Sequence, residues 1–454
     1  MANVSHECSR SIWMDLGPSI PCSPLGADRS CDVAIVGAGI AGLSCAYELV
    51  RFGLSVIVID RGAIGSGMTA RTTAHLASAL DDYYGELIRV HGEERAHRYY
   101  ESQVAAINRI EAICTEEGVD ADFARVDGFL IRATPDHLSD LEKEYDACRA
   151  IGVDVEWTVH APLPALAPGR SLRFSRQARF HPAKYLAGLA ERIVAKGGEL
   201  FADTAYISHE ASGDRVLLQT EAGHRIEARH AVFATNSPVN DKVAIHTKQV
   251  PYRTYALAGK VPKGSVPDAL VWDTLEHYHY VRIQPADLAS DYLIVGGEDH
   301  RTGEETDMDE RLAAIEAWAR ERYPSLEDVQ YRWSGQVMEP IDFMPFCGRN
   351  PGDHNIYIHT GDSGQGITNG VLASLVIPPL IHGQDARFAA TVDPGRKPIA
   401  LSALQEFASG QAGAVRNLAE HLGPGEIESV NEIQPGAGAI VRQGSLTTQA
   451  VYRN

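Results

Sequence analysis

Cysteine is scarce in this chain and never closely spaced. Its seven residues, Cys8, Cys22, Cys31, Cys45, Cys114, Cys148 and Cys347, include no C-x-x-C pair. That pattern argues against a zinc site or a disulfide framework, and for reduced thiols in a cytoplasmic protein. Positive charge is short as well: 41 Lys and Arg stand against 60 Asp and Glu, giving a net charge of −19. No nucleic-acid partner is expected of such a surface. Long apolar runs are missing. The longest, Val371 to Ile381, is too short to cross a bilayer and carries Pro378 and Pro379, so no membrane span is expected. The first thirty residues lack the basic start and apolar core of a leader, and contain Glu7, Asp15 and three prolines. What remains is ordinary for a globular enzyme, 44% apolar and 22% charged, and 454 residues predict roughly two to three domains.

Against these absences stands one dense signal. Val33-Ala34-Ile35-Val36-Gly37-Ala38-Gly39-Ile40-Ala41-Gly42 reads as a strand, a tight glycine turn and a helix reaching about Phe52. A second strand, Ser55 to Ile59, ends at Asp60, 18 residues past Gly42. Gly37 permits the turn, Gly39 lets backbone approach a pyrophosphate, and Gly42 lets helix and strand pack closely. The helix N-terminus, with Ile40 and Ala41, offers free N–H groups and a positive dipole end to phosphates. An acid at the position of Asp60 suits ribose hydroxyls. The pattern predicts dinucleotide binding.

The next segment separates FAD from NAD. In a nicotinamide domain the second strand leads straight into another helix. Here Asp60-Arg61 runs into Gly62-Ala63-Ile64-Gly65-Ser66-Gly67-Met68-Thr69-Ala70-Arg71-Thr72-Thr73-Ala74-His75. Glycines, small residues and hydroxyls suit extended backbone threaded along a ligand. Further on, helices are expected over Tyr84–Glu117, Pro135–Ile151, Pro182–Lys196 and Asp309–Tyr323, with an irregular stretch from Asp154 to Ala178. Strands are expected near Gly128–Ala133, Glu199–Ile207 and Arg229–Asn236, and repeatedly between Pro251 and Gly297. A late strand, Asn355 to Thr360, opens through Gly361-Asp362-Ser363-Gly364-Gln365-Gly366-Ile367-Thr368 into a helix ending near Pro378. That helix N-terminus can stabilise negative charge on a reduced flavin.

Together these pieces resemble the D-amino-acid oxidase/glycine oxidase superfamily of FAD-dependent oxidoreductases, over roughly Asp32 to Ala390. The matching motifs are the glycine fingerprint, the Gly65–Arg71 loop, Trp333-Ser334-Gly335 with Asp342-Phe343-Met344-Pro345-Phe346-Cys347-Gly348, and the late Gly-x-x-Gly-x-Gly loop. The resemblance implies an α/β protein: a discontinuous Rossmann-like FAD-binding domain (30–85, 152–245 and 331–400) and a mostly antiparallel-sheet substrate domain (86–151 and 246–330). It further implies that Gly37, Gly39 and Gly42 hold the pyrophosphate and Asp60, beside Arg61, the ribose. Thr69, Arg71, Thr72, Thr73, Ala74 and His75 would run along pyrophosphate and ring. Tyr206 would lie by the adenine. Ala234-Thr235 would match the family's strand end, with Asn236 in place of a glycine. Gly335 would lie near the flavin, while Asp362, Gly364, Gln365, Gly366, Ile367 and Thr368 would reach its pyrimidine edge.

The expected chemistry is oxidation of a C–N bond in an amino acid or amine, with FAD as the electron sink. Alternatives left open are a C–OH substrate and a non-catalytic FAD-binding subunit. In Tyr278-His279-Tyr280-Val281-Arg282, strand alternation puts Tyr278, Tyr280 and Arg282 on one face, a set suited to a carboxylate. His75 joins them as a flavin-proximal candidate. Two departures from the family bear on the electron acceptor. Gly335 stands where some relatives attach flavin through cysteine, and Tyr292-Leu293-Ile294-Val295 lacks the lysine that sarcosine-oxidase-like relatives use with dioxygen. Both lean towards a dehydrogenase serving an electron-acceptor protein. Finally, 401–454 reads as a linker and a tail resembling the opening strands of a Rieske domain, without cluster ligands, because no cysteine follows Cys347.

Overall fold

The computed structural model describes residues 9–163, 169–239, 248–302, 307–396, 437–442 and 448–453. Two large sheets organise the described residues between 9 and 396. The first has the strand order Phe346–Arg349, Ile356–Thr360, Arg225–Asn236, Arg29–Val36, Val56–Ile59, Glu199–Phe201, parallel but for its first pair. An antiparallel meander, Tyr206–Ser212 and Arg215–Thr220, extends from Arg225–Asn236. Parallel strands covered on both faces read as continuous apolar runs. Val33, Ala34, Ile35, Val56, Ile57, Val58 and Ile59 are all buried.

The second sheet runs Val329–Pro340, Gln249–Pro262, Ser290–Arg301, His279–Pro285, Leu270–Asp273, Ala124–Ile131, Ser171–Arg179, His75–Leu76. It is antiparallel except where Leu270–Asp273 meets Ala124–Ile131. The expected mixed α/β architecture is therefore present.

Three local expectations are corrected. The stretch read as irregular holds the strands Val155–Thr158 and Ser171–Arg179. Their pattern is masked by Arg173, which pairs with Asp127 and Glu156 on neighbouring strands, and by a left-handed Arg176. The helical region after Tyr84 is two helices, Tyr84–His91 and Glu93–Glu117, broken at Gly92 with φ +77°. The late helix, Gly366–Ile381, continues through Pro378 and Pro379. Prolines in a last turn forfeit few hydrogen bonds, and His382 N–H still closes on the Pro378 carbonyl.

In the tail, Ala437–Arg442 pairs antiparallel with Thr448–Arg453. The expected strand Ile427 to Gly436 lies outside the described residues. Among the described residues no helix is long and apolar enough to cross a membrane.

Candidate active site

The helix Ile40–Arg51 starts from Gly39, which has no side chain to cap its first turn. Gly37 takes φ +104°, and a Cβ on Gly42 would meet the Gly37 carbonyl oxygen at 1.8 Å. Turn and helix thus approach more closely than any other residue allows. Asp60 closes the turn, its carboxylate accepting from Ala38 N–H at 2.7 Å and Gly62 N–H at 3.0 Å. Burial raises its pKa. Arg61 beside it is exposed. Thr69 Oγ1 accepts from Ile40 N–H at 2.9 Å, tying the following loop to the helix start. Thr235 hydroxyl donates to the Ser237 carbonyl, and Asn236 takes φ +63° where the family has glycine. Asparagine tolerates that left-handed region better than most residues. Tyr206 bonds His209 and packs on Phe233.

From Thr69 the chain threads beside the second sheet. The Arg71 guanidinium turns away from the glycine turn, donating to Ser9 Oγ and the Ser334 carbonyl. Gly335 lies against it, and a Cβ there would stand 3.5 Å from the Arg71 carbonyl. His75 Nε2 meets the Val281 carbonyl at 3.2 Å and Nδ1 the Thr73 hydroxyl at 3.1 Å. Burial, assisted by Arg282, pushes its pKa down to about 3, so the ring is neutral, with Nε2–H donating.

The strand His279–Pro285 then links this loop to the late glycine loop. Tyr280 sets its ring edge-on to His75 at 5.5 Å, and its hydroxyl bonds Thr254 at 2.7 Å. Tyr278, 5.5 Å from Tyr280 between ring centres, donates to Asp81 at 2.9 Å. Asp81 in turn abuts Gly364, and Gln365 donates to the Ala79 carbonyl at 3.0 Å. Gly361 and Gly364 take positive φ, and the Asp362 carbonyl accepts from Asn369. Thr368 is buried on the first turn of the helix, beside Ile367 and close to Gly366. The two expected tyrosines therefore share a face between two expected cofactor loops.

Arg282 behaves differently from the carboxylate grip expected of it. It is 1% exposed, and its guanidinium already donates to the Ala74 carbonyl (2.7 Å), the Phe180 carbonyl (3.0 Å), the Ile283 carbonyl (3.0 Å) and Gln284. Alternation placed it on the tyrosine face, but the loop at Ala74 covers it before it can meet a ligand.

Sequence reasoning missed a ring of carboxyls around Tyr278. Ser363 Oγ lies 2.6 Å from Asp82 and 2.7 Å from Glu339. One hydroxyl proton serves one acceptor, so one of these two acids holds a proton of its own. Burial pushes Asp81 and Asp82 up to about 7 and Asp299 to about 6, and raises Glu339 as well. Asp81 is itself exposed, so solvent damps the rise there, while Asp82, Asp299 and Glu339 are only partly exposed. The pair Asp81-Asp82, directly after the glycine and hydroxyl loop, was a visible signal. Asp299 and Glu339 come from distant strands and gave none.

The donor set fits a dinucleotide: a helix start whose N-cap, Gly39, gives no side-chain cap and whose Ile40 N–H is met by Thr69, a carboxylate at the second strand end, loop hydroxyls, and a second helix whose N-cap, Gln365, gives no side-chain cap. A family model described as FAD dependent oxidoreductase matches residues 32–377. The chain belongs to this family. Its cofactor is FAD, and it is an FAD-dependent oxidoreductase. Among relatives, the Bacillus subtilis (strain 168) protein YhfW, provisionally named a Rieske 2Fe-2S iron–sulfur protein, is 30% identical over 97% of this chain and 86% of its own length. Gamma-glutamylputrescine oxidoreductase of Escherichia coli (strain K12) is 25% identical, covering 82% and 88% respectively. The glycine oxidase structure from Geobacillus kaustophilus superposes with a TM-score of 0.69 at 18% identity, over 81% of this chain and 99% of that one.

Proposed function

We propose that this family member oxidises the C–N bond of a substrate carrying an ammonium group and hands the electrons to a protein carrier rather than to dioxygen. The observation that carries the substrate class is the carboxyl ring of Asp81, Asp82, Asp299 and Glu339 around the Tyr278–Tyr280 face. A ring of this sign draws a cationic amine and disfavours a substrate that presents only a carboxylate. The relative named gamma-glutamylputrescine oxidoreductase supports an amine in the same way. Bound FAD would supply the hydride sink for oxidation of the carbon beside nitrogen, and hydrolysis of the resulting substrate imine would release a carbonyl and an amine.

The chain's own groups bind and orient. Asp81, held by the Tyr278 hydroxyl, attracts the ammonium and takes its proton, so that a neutral amine faces the ring. Tyr280 and the neutral His75 wall the opposite side. Thr69, Thr72 and Thr73 would line the phosphate and ring path of FAD, and the N-terminus of Gly366–Ile381 would face its pyrimidine edge. The acceptor assignment rests on the absence of lysine from Tyr292–Val295 and on the relative provisionally named a Rieske protein.

The test is an anaerobic titration of the flavin spectrum with amines, amino acids and hydroxy acids, followed by air or an artificial dye. Bleaching by an amine with reoxidation by dye but slowly by air is expected. Bleaching by hydroxy acids alone overturns the substrate class, and rapid reoxidation by air overturns the acceptor.

A further inference from the structure

Four carbonyls of the loop along the flavin path are each held by a side chain from outside the loop, drawn from three segments of the chain. Ser11 Oγ donates to the Ala70 carbonyl, and Trp333 Nε1 to the Arg71 carbonyl at 2.8 Å. Trp13 Nε1 donates to the Thr72 carbonyl at 2.6 Å, and Arg282 to the Ala74 carbonyl at 2.7 Å. Ser11 and Trp13 belong to a short arm ahead of the first sheet strand, with Ile12 and Trp13 fully buried. Ser9, in the same arm, accepts from Arg71. The Arg282 guanidinium also lies over the Trp13 ring at 5.5 Å, so arm and sheet meet beneath the loop.

A planar trans peptide points each C=O opposite to the following N–H. Carbonyls of Arg71 and Thr72 fixed towards Trp333 and Trp13 therefore turn the N–H groups of Thr72 and Thr73 to the other side. Ala74 adds a second sign of constraint: it holds φ +61°, costly for a residue with a Cβ, with its N–H on Thr72 Oγ1 at 2.9 Å. Strained backbone persists where its surroundings over-determine it.

We propose that the arm Ser9–Leu16, with Trp333 and Arg282, is a positioning device that sets the Thr72–Thr73 backbone against FAD. These side chains touch the loop and act on the cofactor through it. The inference rests on the assignment of this loop to the flavin path.

The test replaces single donors while keeping apolar bulk, in holoprotein: Trp13→Phe, Trp333→Phe, and the milder Ser11→Ala should either indole variant fold poorly. A core control, Ile110→Val, lowers stability from a fully buried position on the helix Glu93–Glu117, which makes none of these bonds to the loop. Each donor loss should raise the FAD dissociation constant about five- to tenfold, the size of one buried hydrogen bond. It should also shift the flavin's visible band and midpoint potential, which Ile110→Val leaves alone. The combined Trp13→Phe/Trp333→Phe variant should weaken FAD by less than the product of the single effects, because both act on one loop. Variants that lose thermal stability as the control does, with FAD affinity, spectrum and potential at wild-type values, overturn the proposal and leave the arm a structural prop. A wild-type chain that takes up no FAD would instead overturn the flavin reading beneath it.

Discussion

A Cβ added at Gly42 would meet the Gly37 carbonyl oxygen at 1.8 Å, and one added at Gly364 would meet an Asp81 carboxylate oxygen at the same distance. The overlap is equal, but the neighbours are not. Gly37 belongs to a backbone turn locked between parallel strands, with Ala234 backbone pressing on it from the next one. Asp81 is the end of a rotatable side chain, held by Tyr278 and Gln365. One glycine-led helix start packs main chain on main chain at its closest contact, with Asp60 holding the turn from outside that contact. The other is built against titratable side chains, so its shape is tied to protonation and to whatever cation binds there.

The largest effect should separate the two helix starts most sharply. Gly42→Ala has no side chain to push aside, so strand or helix must shift, at a cost of about 3 kcal/mol or more. FAD retention after gel filtration should be lost, and thermal stability should fall with it. Gly364→Ala faces a left-handed φ of +69°, worth about 1–2 kcal/mol, and an Asp81 carboxylate that can rotate. It should keep FAD with weakened affinity, and the double change Asp81→Ala/Gly364→Ala should recover part of the loss. If the two glycine variants behave alike, the distinction between main-chain and side-chain neighbours carries no weight.

The same contrast explains what was legible in the sequence. The first glycine turn was readable because its requirements are local: glycines at fixed spacing, an apolar run on each side, and an acid after the second strand. The fold class followed from it, and the late loop from its own glycines and apolar helix. The interior of the second sheet was not readable at the level of partners. Arg282 sits on the face that alternation gave it, yet its neighbours are Ala74 and Phe180, about a hundred or more residues away. Arg71 turns to Ser9 and Ser334 for the same reason. The carboxyl ring draws Asp81, Asp82, Asp299 and Glu339 from three segments, and pairing of charged strands hid Ser171–Arg179 altogether. Periodicity reports which face a residue occupies; it carries no information about which distant group already fills that face.

Protonation should sharpen the comparison next. A carboxyl whose folded pKa is raised stabilises the fold fully below its unfolded value near 4, and that contribution disappears as pH rises through the folded value. For Asp82 the window runs from about 4 to about 7. Asp82→Asn should therefore match wild type in melting temperature near pH 4 and exceed it progressively towards pH 8. Glu339 and Asp81 face the same Ser363 region, so the gain should shrink if Glu339→Gln is already in place. Gly42 packs on backbone, and the carboxyl of its turn, Asp60, is held by the Ala38 and Gly62 N–H groups, so variants at Gly42 should show a deficit that changes less with pH than the Asp82 effect. A difference between Asp82→Asn and wild type that stays flat with pH would detach the late loop from its carboxyls.

The smallest expected effect lies where the two loops are bridged. Tyr280→Phe removes the hydroxyl paired with Thr254 but keeps the ring edge-on to His75. One hydrogen bond to a neutral partner is worth about 0.5–1.5 kcal/mol, so KM for a reducing amine should rise roughly three- to tenfold. The kcat should hold within about twofold, because an orienting group acts on binding and transition state alike. The neutral His75, fixed between Thr73 and Val281, gives Tyr280 no proton partner, which is why a wall is the role that fits. A fall in kcat of about a hundredfold, with KM unchanged, would make the hydroxyl part of the chemistry. In that case the bridge between the two glycine loops, rather than either loop, would be the element that decides the rate.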